Sequence, residues 1–174
     1  VNVSEHGKVR YLHLGTPWVQ GSMWLKRPYA IELEYVQRMQ AWLLWHDPEQ
    51  VSGLHAMQLG LGAATLTKHC HQVLGMRTTA IELNPQVVAA CRLWFKLPAD
   101  DARLSVVLGD AAEVAAHEHW RGQVDALQVD LYDAKGSVGR KFLIAGKGGM
   151  NLPHSDPFDV FAGRYGERAH DVAT

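Results

Sequence analysis

From Val51 onward, short apolar runs alternate with segments in which apolar residues recur every three or four positions. The short runs predict buried strands, and the longer spacing predicts amphipathic helices. Because consecutive parallel strands need a crossover between them, this alternation predicts an α/β fold with a parallel sheet covered by helices. The predicted strands are His55–Leu59, 78–82, Leu104–Leu108 and 124–131.

Three helices are predicted between these four strands. Their apolar positions are Leu66, Cys70, Val73 and Leu74 in the first, and Val87, Val88, Cys91, Trp94 and Phe95 in the second. Asn84 and Pro85 supply an N-cap and a first-turn proline for the second helix. Asp110 and Glu113 have the spacing of a capping box, which predicts a third, shorter helix after the third strand.

Different patterns flank the alternating region. Residues 8–25 are rich in β-branched and aromatic side chains and are punctuated by glycine and proline, which predicts a short β-hairpin. Apolar residues at helical spacing from Tyr29 to Leu43, followed by Pro48, predict an amphipathic helix. After Ala134 the chain becomes glycine-rich. We therefore predict an N-terminal hairpin and helix (1–50), a sheet region (51–134) and a glycine-rich tail (135–174).

Charge and cysteine content exclude several classes of protein. The 17 Lys and Arg against 18 Asp and Glu give a net charge of −1, so no broad positive field is available for nucleic acid. No apolar run approaches the roughly 18 residues of a membrane span, and no signal-peptide pattern is present. Cys70 and Cys91 occupy apolar helix positions, as buried free thiols do. We expect a cytoplasmic protein that binds neither nucleic acid nor membrane.

Gly60 and Gly62 stand where the first predicted strand turns into its helix. Without Cβ atoms, these residues allow a ligand to approach the backbone amides. Glu82 ends the next strand, 22 residues beyond Gly60, close to the offset at which an acid binds ribose hydroxyls. The glycine pair alone also suits an ordinary strand-to-helix turn, and Glu82 alone also suits a solvated charge. Together the two features predict a nucleoside site.

Asp110 ends the third strand, where its carboxylate can accept a hydrogen bond from an adenine amino group, cap the third helix, or do both. Thr65 occupies the place of the third glycine in the dinucleotide fingerprint. We therefore favour a sulfonium nucleoside over NAD as the ligand. The histidine pairs 69/71 and 117/119 are two residues apart and face different sides of a helix, so no metal site is predicted.

Four motifs give a specific resemblance: LGLG at 59–62, IELNP at 81–85, LGDA at 108–111 and VDLYD at 129–133. With residues 20–23 and 32–35 they resemble the spermidine synthase family, including its bacterial homologues that are similar to methyltransferases. The resemblance covers most of residues 9–134. It implies a Rossmann-like sheet of the class I methyltransferase type, with S-adenosylmethionine or its decarboxylated form as donor. It also implies that Asp130 is the catalytic base or the anchor of the acceptor amine, as suits a carboxylate.

The sequence departs from that family in two places. The family's Tyr-His-Glu-Met run, which helps hold the polyamine, appears here as residues 36–39, where Arg38 would repel a cationic amine. Three further strands that follow the fourth in the family are not recognisable here. We therefore expect a sheet that is incomplete after the fourth strand, with that strand exposed as an edge through which homo-oligomers can form. The expected activity is reduced or absent.

The tail carries a second resemblance. Residues 124–168 resemble the second strand and the Gly-Arg-Lys turn of the FAD domain in bacterial NAD(P)/FAD-dependent flavoproteins, which implies that Asp133 binds the FAD ribose. Because no phosphate-binding turn precedes this segment, FAD binding is not expected. A junction between two protein families within residues 124–134 would account for both resemblances. Two alternatives to a transferase domain remain: a fragment of a flavin oxidoreductase, and a non-catalytic adenosine-binding module.

Overall fold

The structure, a computed structural model, describes residues 1–129 and the backbone of a strand at residues 142–145. The chain begins with a three-stranded antiparallel sheet of β1 (Asn2–His6), β2 (Val9–His13) and β3 (Gly21–Trp24). The predicted hairpin corresponds to β2 and β3. Strand β1 was not predicted, because all five of its residues are exposed and it shows no apolar face.

The second sheet contains β4 (His55–Leu59), β5 (Arg77–Glu82), β6 (Leu104–Leu108), β7 (Ala126–Val129) and β8 (Phe142–Ala145), in the spatial order β6-β5-β4-β7-β8. Strands β4 to β7 are parallel, and β4 lies between β5 and β7. This order, in which the chain moves outward from a central first strand, is Rossmann-like and confirms the predicted fold class. The four predicted parallel strands are present within two residues of their expected ends.

Among the described residues the parallel strands end with the fourth, as predicted, but the prediction that this strand is an exposed edge was wrong. Strand β8 pairs antiparallel with β7, from Ala126 opposite Ala145 to Val129 opposite Phe142. The β-prone run 142–145 therefore supplies backbone partners to the fourth parallel strand, which is not an exposed edge. The expectation that homo-oligomers form through a free β7 edge is therefore not supported.

The helices differ in regularity. Helix α3 (Pro85–Trp94) is a continuous α-helix, and α4 (Ala111–Ala116) begins after Asp110. Helix α2 (Thr65–Lys68) gives way to a π-helical turn over His69–Val73. The helix predicted from Tyr29 to Leu43 is α-helical only in α1 (Glu34–Arg38) and continues as a 3₁₀ helix over Met39–Trp45. No helix in the described residues has both the length and the apolar character needed to cross a bilayer.

Two apolar clusters hold the sheets and helices together. One joins the N-terminal sheet to α3 and the region before β6, through side chains that include Leu12, Met23, Val87, Phe95 and Leu104. The other packs around Trp42 and includes Val51, Ala56, Cys70, Met76 and Ala126. Cys70 and Cys91 are buried free thiols, as predicted.

Candidate functional site

The glycine turn after β4 has the backbone geometry that its sequence predicts. Gly60 has φ of 93° and Gly62 has φ of 52°, both in the left-handed region that favours glycine. The amide of Gly60 donates to the Ile81 carbonyl at 2.8 Å, which fixes the turn to the end of β5. The turn therefore lies at the carboxyl edge of the parallel sheet, where ligands of open α/β folds bind.

Glu82 reaches this turn from β5. One carboxylate oxygen accepts from the Leu61 amide at 2.9 Å, between the two glycines, and the other accepts from the Asn84 amide at 2.8 Å. The structure thus brings Glu82 and the glycine turn together, as the sequence spacing predicts. A carboxylate offers about four acceptor positions, so positions remain for a ligand's hydroxyl groups.

Asp110 lies at the same edge, one strand farther out. Its Oδ1 accepts from the Ala112 amide at 2.8 Å and from the Glu113 amide at 3.3 Å, so it caps α4. The Gly109 amide donates to the Glu82 carbonyl at 3.1 Å, which joins the ends of β5 and β6. Capping uses one carboxylate oxygen, and a role toward adenine stays a prediction.

A narrow crevice of about 20 Å³ lies beside the turn, lined by Gly21, Tyr35, Val36, Gln58, Gln128 and the turn itself. Gln58 on β4 and Gln128 on β7 are both buried, and Gln58 Nε2 donates to Gln128 Oε1 at 3.0 Å. Gln128 Nε2 is buried without a hydrogen-bond partner among the described residues. A donor in that state favours an acceptor from a ligand or a water. This pair was not predicted from the sequence, although two glutamines within apolar strands were a visible signal.

The N-terminal sheet also contacts the site. A Cβ atom on Gly21 would lie 2.7 Å from Ala63 Cβ and 2.8 Å from the Ala63 amide, so only glycine allows this approach. Thr65 Oγ1 donates to the Ser22 carbonyl at 2.8 Å. The start of β3 is therefore held against the glycine turn.

The sequence also singled out Asp130 and Arg38. Asp130 lies outside the described residues, and it directly follows Val129 at the end of β7. Arg38 forms an ion pair with Glu34 at 2.6 Å, and both side chains are about three-quarters exposed. Its charge is therefore paired and solvated, and the repulsion of an amine by Arg38 stays a prediction. No three His, Cys, Asp or Glu side chains in residues 1–129 converge as metal ligands do.

The chain is similar to polyamine aminopropyltransferases. It is 35% identical over 134 residues to that of Chromobacterium violaceum, covering 76% of this chain and 49% of the relative. It is 36% identical over 138 residues to that of Neisseria meningitidis, covering 78% and 50%. The chain spans about half the length of these relatives, and no family model matches it. The matches support the resemblance to spermidine synthases as homology.

Solved structures agree on the fold. A probable spermidine synthase from Corynebacterium glutamicum superposes with a TM-score of 0.65 at 21% identity, covering 78% of this chain and 50% of that one. Human methyltransferase-like protein 13, in complex with SAH, gives 0.52 at 23% identity, covering 60% and 50%. The fold is that of the Rossmann-like methyltransferases. No flavoprotein is among these proteins, so the flavoprotein resemblance and the junction have no support, and most of residues 130–174 lie outside the described structure.

Proposed function

We propose that this chain provides the nucleoside-binding half of an aminopropyltransferase-type site, which binds S-adenosylmethionine or its decarboxylated form. One observation carries the proposal: the Glu82 carboxylate accepts from the Leu61 amide inside the glycine turn. An acid held against such a turn at the carboxyl edge of a parallel sheet is the arrangement that binds the ribose of an adenosine ligand. Relatives named polyamine aminopropyltransferase support a sulfonium donor.

Each predicted residue has a role in this proposal. Gly60 and Gly62 allow the adenosine to approach the backbone, Glu82 accepts from the ribose hydroxyls, and Asp110 accepts from the adenine amino group with the oxygen that does not cap α4. Gln128 Nε2, which has no hydrogen-bond partner among the described residues, supplies a further donor near the crevice.

The proposed reaction is an in-line displacement. The acceptor amine nitrogen forms a bond to the carbon next to the sulfonium sulfur, the carbon–sulfur bond breaks, and its electron pair neutralises the sulfur. The amine loses one proton, and we assign its acceptance to Asp130. Because the donor carries its own leaving group, the protein contributes mainly by positioning the reactants and excluding water.

Calorimetry with S-adenosylmethionine, its decarboxylated form and methylthioadenosine tests the binding step. We expect Glu82→Ala to weaken binding by about 1–3 kcal/mol, because ribose hydroxyls and the Leu61 amide lose their acceptor. Glu113→Gln, which removes one negative charge from exposed α4, is the matched control and should bind as the wild type does. Circular dichroism would establish that both variants are folded.

Three outcomes separate this proposal from its alternatives. Unchanged affinity in folded Glu82→Ala would overturn the ribose assignment. Binding without transfer to any amine would identify a non-catalytic adenosine-binding module. Stoichiometric FAD, visible as absorbance in the purified protein, would instead favour the flavin oxidoreductase fragment.

A further inference from the structure

A second cleft lies at the opposite, amino-terminal end of the parallel sheet. It is bounded by the first residues of β4, β5 and β6 and by the 3₁₀ turn Glu118–Trp120, and its cavity volume is about 220 Å³. The residues that matter here are His55, Arg77, Asp101, Arg103, Ser105 and Trp120. The volume lies below the roughly 300–1,000 Å³ of pockets for drug-sized ligands, so the cleft suits a smaller molecule.

Two arginines give this cleft its chemical character. Thr78 pairs with Leu104 across β5 and β6, which places Arg77 and Arg103 side by side at the start of neighbouring strands. Neither arginine has a carboxylate partner among the described residues. Arg103 Nη1 donates to the Gly75 carbonyl at 2.6 Å, and Arg77 Nη2 donates to the Gln123 carbonyl at 3.3 Å. A guanidinium has five N–H donors, so most of theirs remain available.

Two other ionisable groups of the cleft, Asp101 and His55, are engaged in hydrogen bonds, and a third, His119, lies against Trp120. Asp101 Oδ1 accepts from the Arg103 amide at 2.7 Å and the Leu104 amide at 2.8 Å, and Oδ2 lies 3.1 Å from His71 Nε2. His55 Nδ1 bonds to the Gln123 carbonyl at 2.7 Å, so this nitrogen carries the proton and Nε2 accepts from the Thr79 hydroxyl at 2.9 Å. Neither Asp101 nor His55 forms a side-chain hydrogen bond with the two guanidinium groups, each of which donates to one backbone carbonyl among the described residues.

Trp120 adds an aromatic wall. Its ring contacts the His119 ring edge-on, with centroids 4.8 Å apart, and lies 6.0 Å from the His55 ring. Ser105 also lines the cleft. Two guanidinium groups without carboxylate partners among the described residues, a serine and an indole together match a planar ring that carries a phosphate, because guanidinium groups bind phosphate by charge-assisted hydrogen bonds and rings stack on indole.

We propose that this amino-end cleft binds a small aromatic phosphomonoester, with its phosphate on Arg77 and Arg103 and its ring against Trp120. The site is distinct from the glycine turn, which lies at the other end of the same strands. It does not depend on the proposed transferase function.

Phenyl phosphate and inorganic phosphate are the probes for this site, because neither contains adenosine. In a titration followed by two-dimensional ¹⁵N NMR, phenyl phosphate should shift the amide signals of Thr78, Leu104 and Ser105 and leave those of Gly60 and Gly62 in place. The shifts should weaken as salt is added, since the contacts are ionic and partly exposed.

Variants assign the contacts. Arg77→Gln and Arg103→Gln should each weaken phenyl phosphate binding by about tenfold, the loss of one charge-assisted contact. Arg121→Gln, on the neighbouring loop with a largely exposed ion pair to Glu118, is the matched charge control and should bind normally. Trp120→Ala should weaken phenyl phosphate binding and leave inorganic phosphate binding unchanged.

Two results would overturn the proposal. One is an absence of shifts at the cleft with phenyl phosphate, and the other is equal binding by wild type and the folded Arg77→Gln/Arg103→Gln double variant. If inorganic phosphate binds as tightly as phenyl phosphate and Trp120→Ala has no effect, the aromatic part of the assignment is wrong.

Discussion

The two crossover helices of the parallel sheet, α2 and α3, connect similar strands but are built differently. Helix α3 starts with a side-chain cap from Asn84 and a first-turn proline, and it buries apolar residues. Helix α2 starts after Ala64 in the left-handed conformation, has no side-chain cap, and becomes a π-helix after four residues. It also buries Lys68 and His71. The contrast shows one helix specified by local signals and another held by its tertiary contacts.

The largest expected effect tests the apolar packing at α3. Phe95 is fully buried in the cluster that joins α3 to the N-terminal sheet, whereas its neighbour Trp94 is 51% exposed. Phe95→Ala should lower the free energy of unfolding by about 3–5 kcal/mol, because it leaves a cavity. Urea unfolding would measure this effect. Trp94→Ala is the control, and an equal loss in both variants would contradict the packing described here.

The second prediction tests the buried charge on α2. Lys68 Nζ donates to the Phe95 carbonyl at 2.7 Å, and burial lowers the pKa of Lys68 to about 8. The unfolded chain keeps this proton up to about pH 10.5, so it binds more protons than the folded chain above pH 8. The free energy of unfolding should therefore rise with pH, by at most about 1.4 kcal/mol per unit.

The useful window for this test is pH 8 to 9. Burial raises the pKa of both Cys70 and Cys91 from 9.0 to about 12, so unfolding releases thiol protons above pH 9 and stability falls there. Lys68→Met should remove the rise between pH 8 and 9, while Lys26→Met at an exposed position should keep it. The same slope in Lys68→Met would show that another group titrates.

The smallest expected effect tests the cap of α3. Asn84 Oδ1 accepts from the Gln86 amide at 2.9 Å, so Asn84→Ala should cost about 1 kcal/mol of unfolding free energy. Asn84→Asp keeps the acceptor and should cost less. Ala64→Gly, at the matching position of α2, removes no side-chain cap. It relieves the strain of a left-handed φ of 57° but loses a buried methyl group, so the two effects on the free energy of unfolding should offset one another. If thermal unfolding shows a larger loss of stability for Ala64→Gly than for Asn84→Ala, the comparison between α2 and α3 is wrong.

The same contrast explains what the sequence could predict. Asn84, Pro85 and the apolar spacing of residues 87–95 are local signals, and α3 forms where they indicate. The π-helical turn after Lys68 carries no such signal, because it depends on tertiary contacts of α2. The pairing of β8 with β7 was also missed, since an isolated apolar run of four residues does not reveal its partner.

The candidate site divides in a similar way. The glycine turn and Glu82 were predicted to meet, because adjacent parallel strands end at the same edge, and they do meet. The Gln58–Gln128 bond joins residues 70 positions apart, so it becomes visible only when the strand order is known. The roles of Asp110 and Asp130 toward a ligand stay predictions, and so does the identity of the donor.

The central position of β4 has a consequence for how this chain folds. Strand β4 pairs on one edge with β5, which follows after a short crossover. Its other edge pairs with β7, which comes in the chain only after β5, β6 and their helices. Long-range parallel pairing of this kind is slow, because a long loop must close before the contacts form. During synthesis, the emerging chain therefore exposes one side of its central strand, including Gln58, until residue 129 has left the ribosome. A chaperone that covers the unpaired edge of β4 would therefore have its largest effect during that interval.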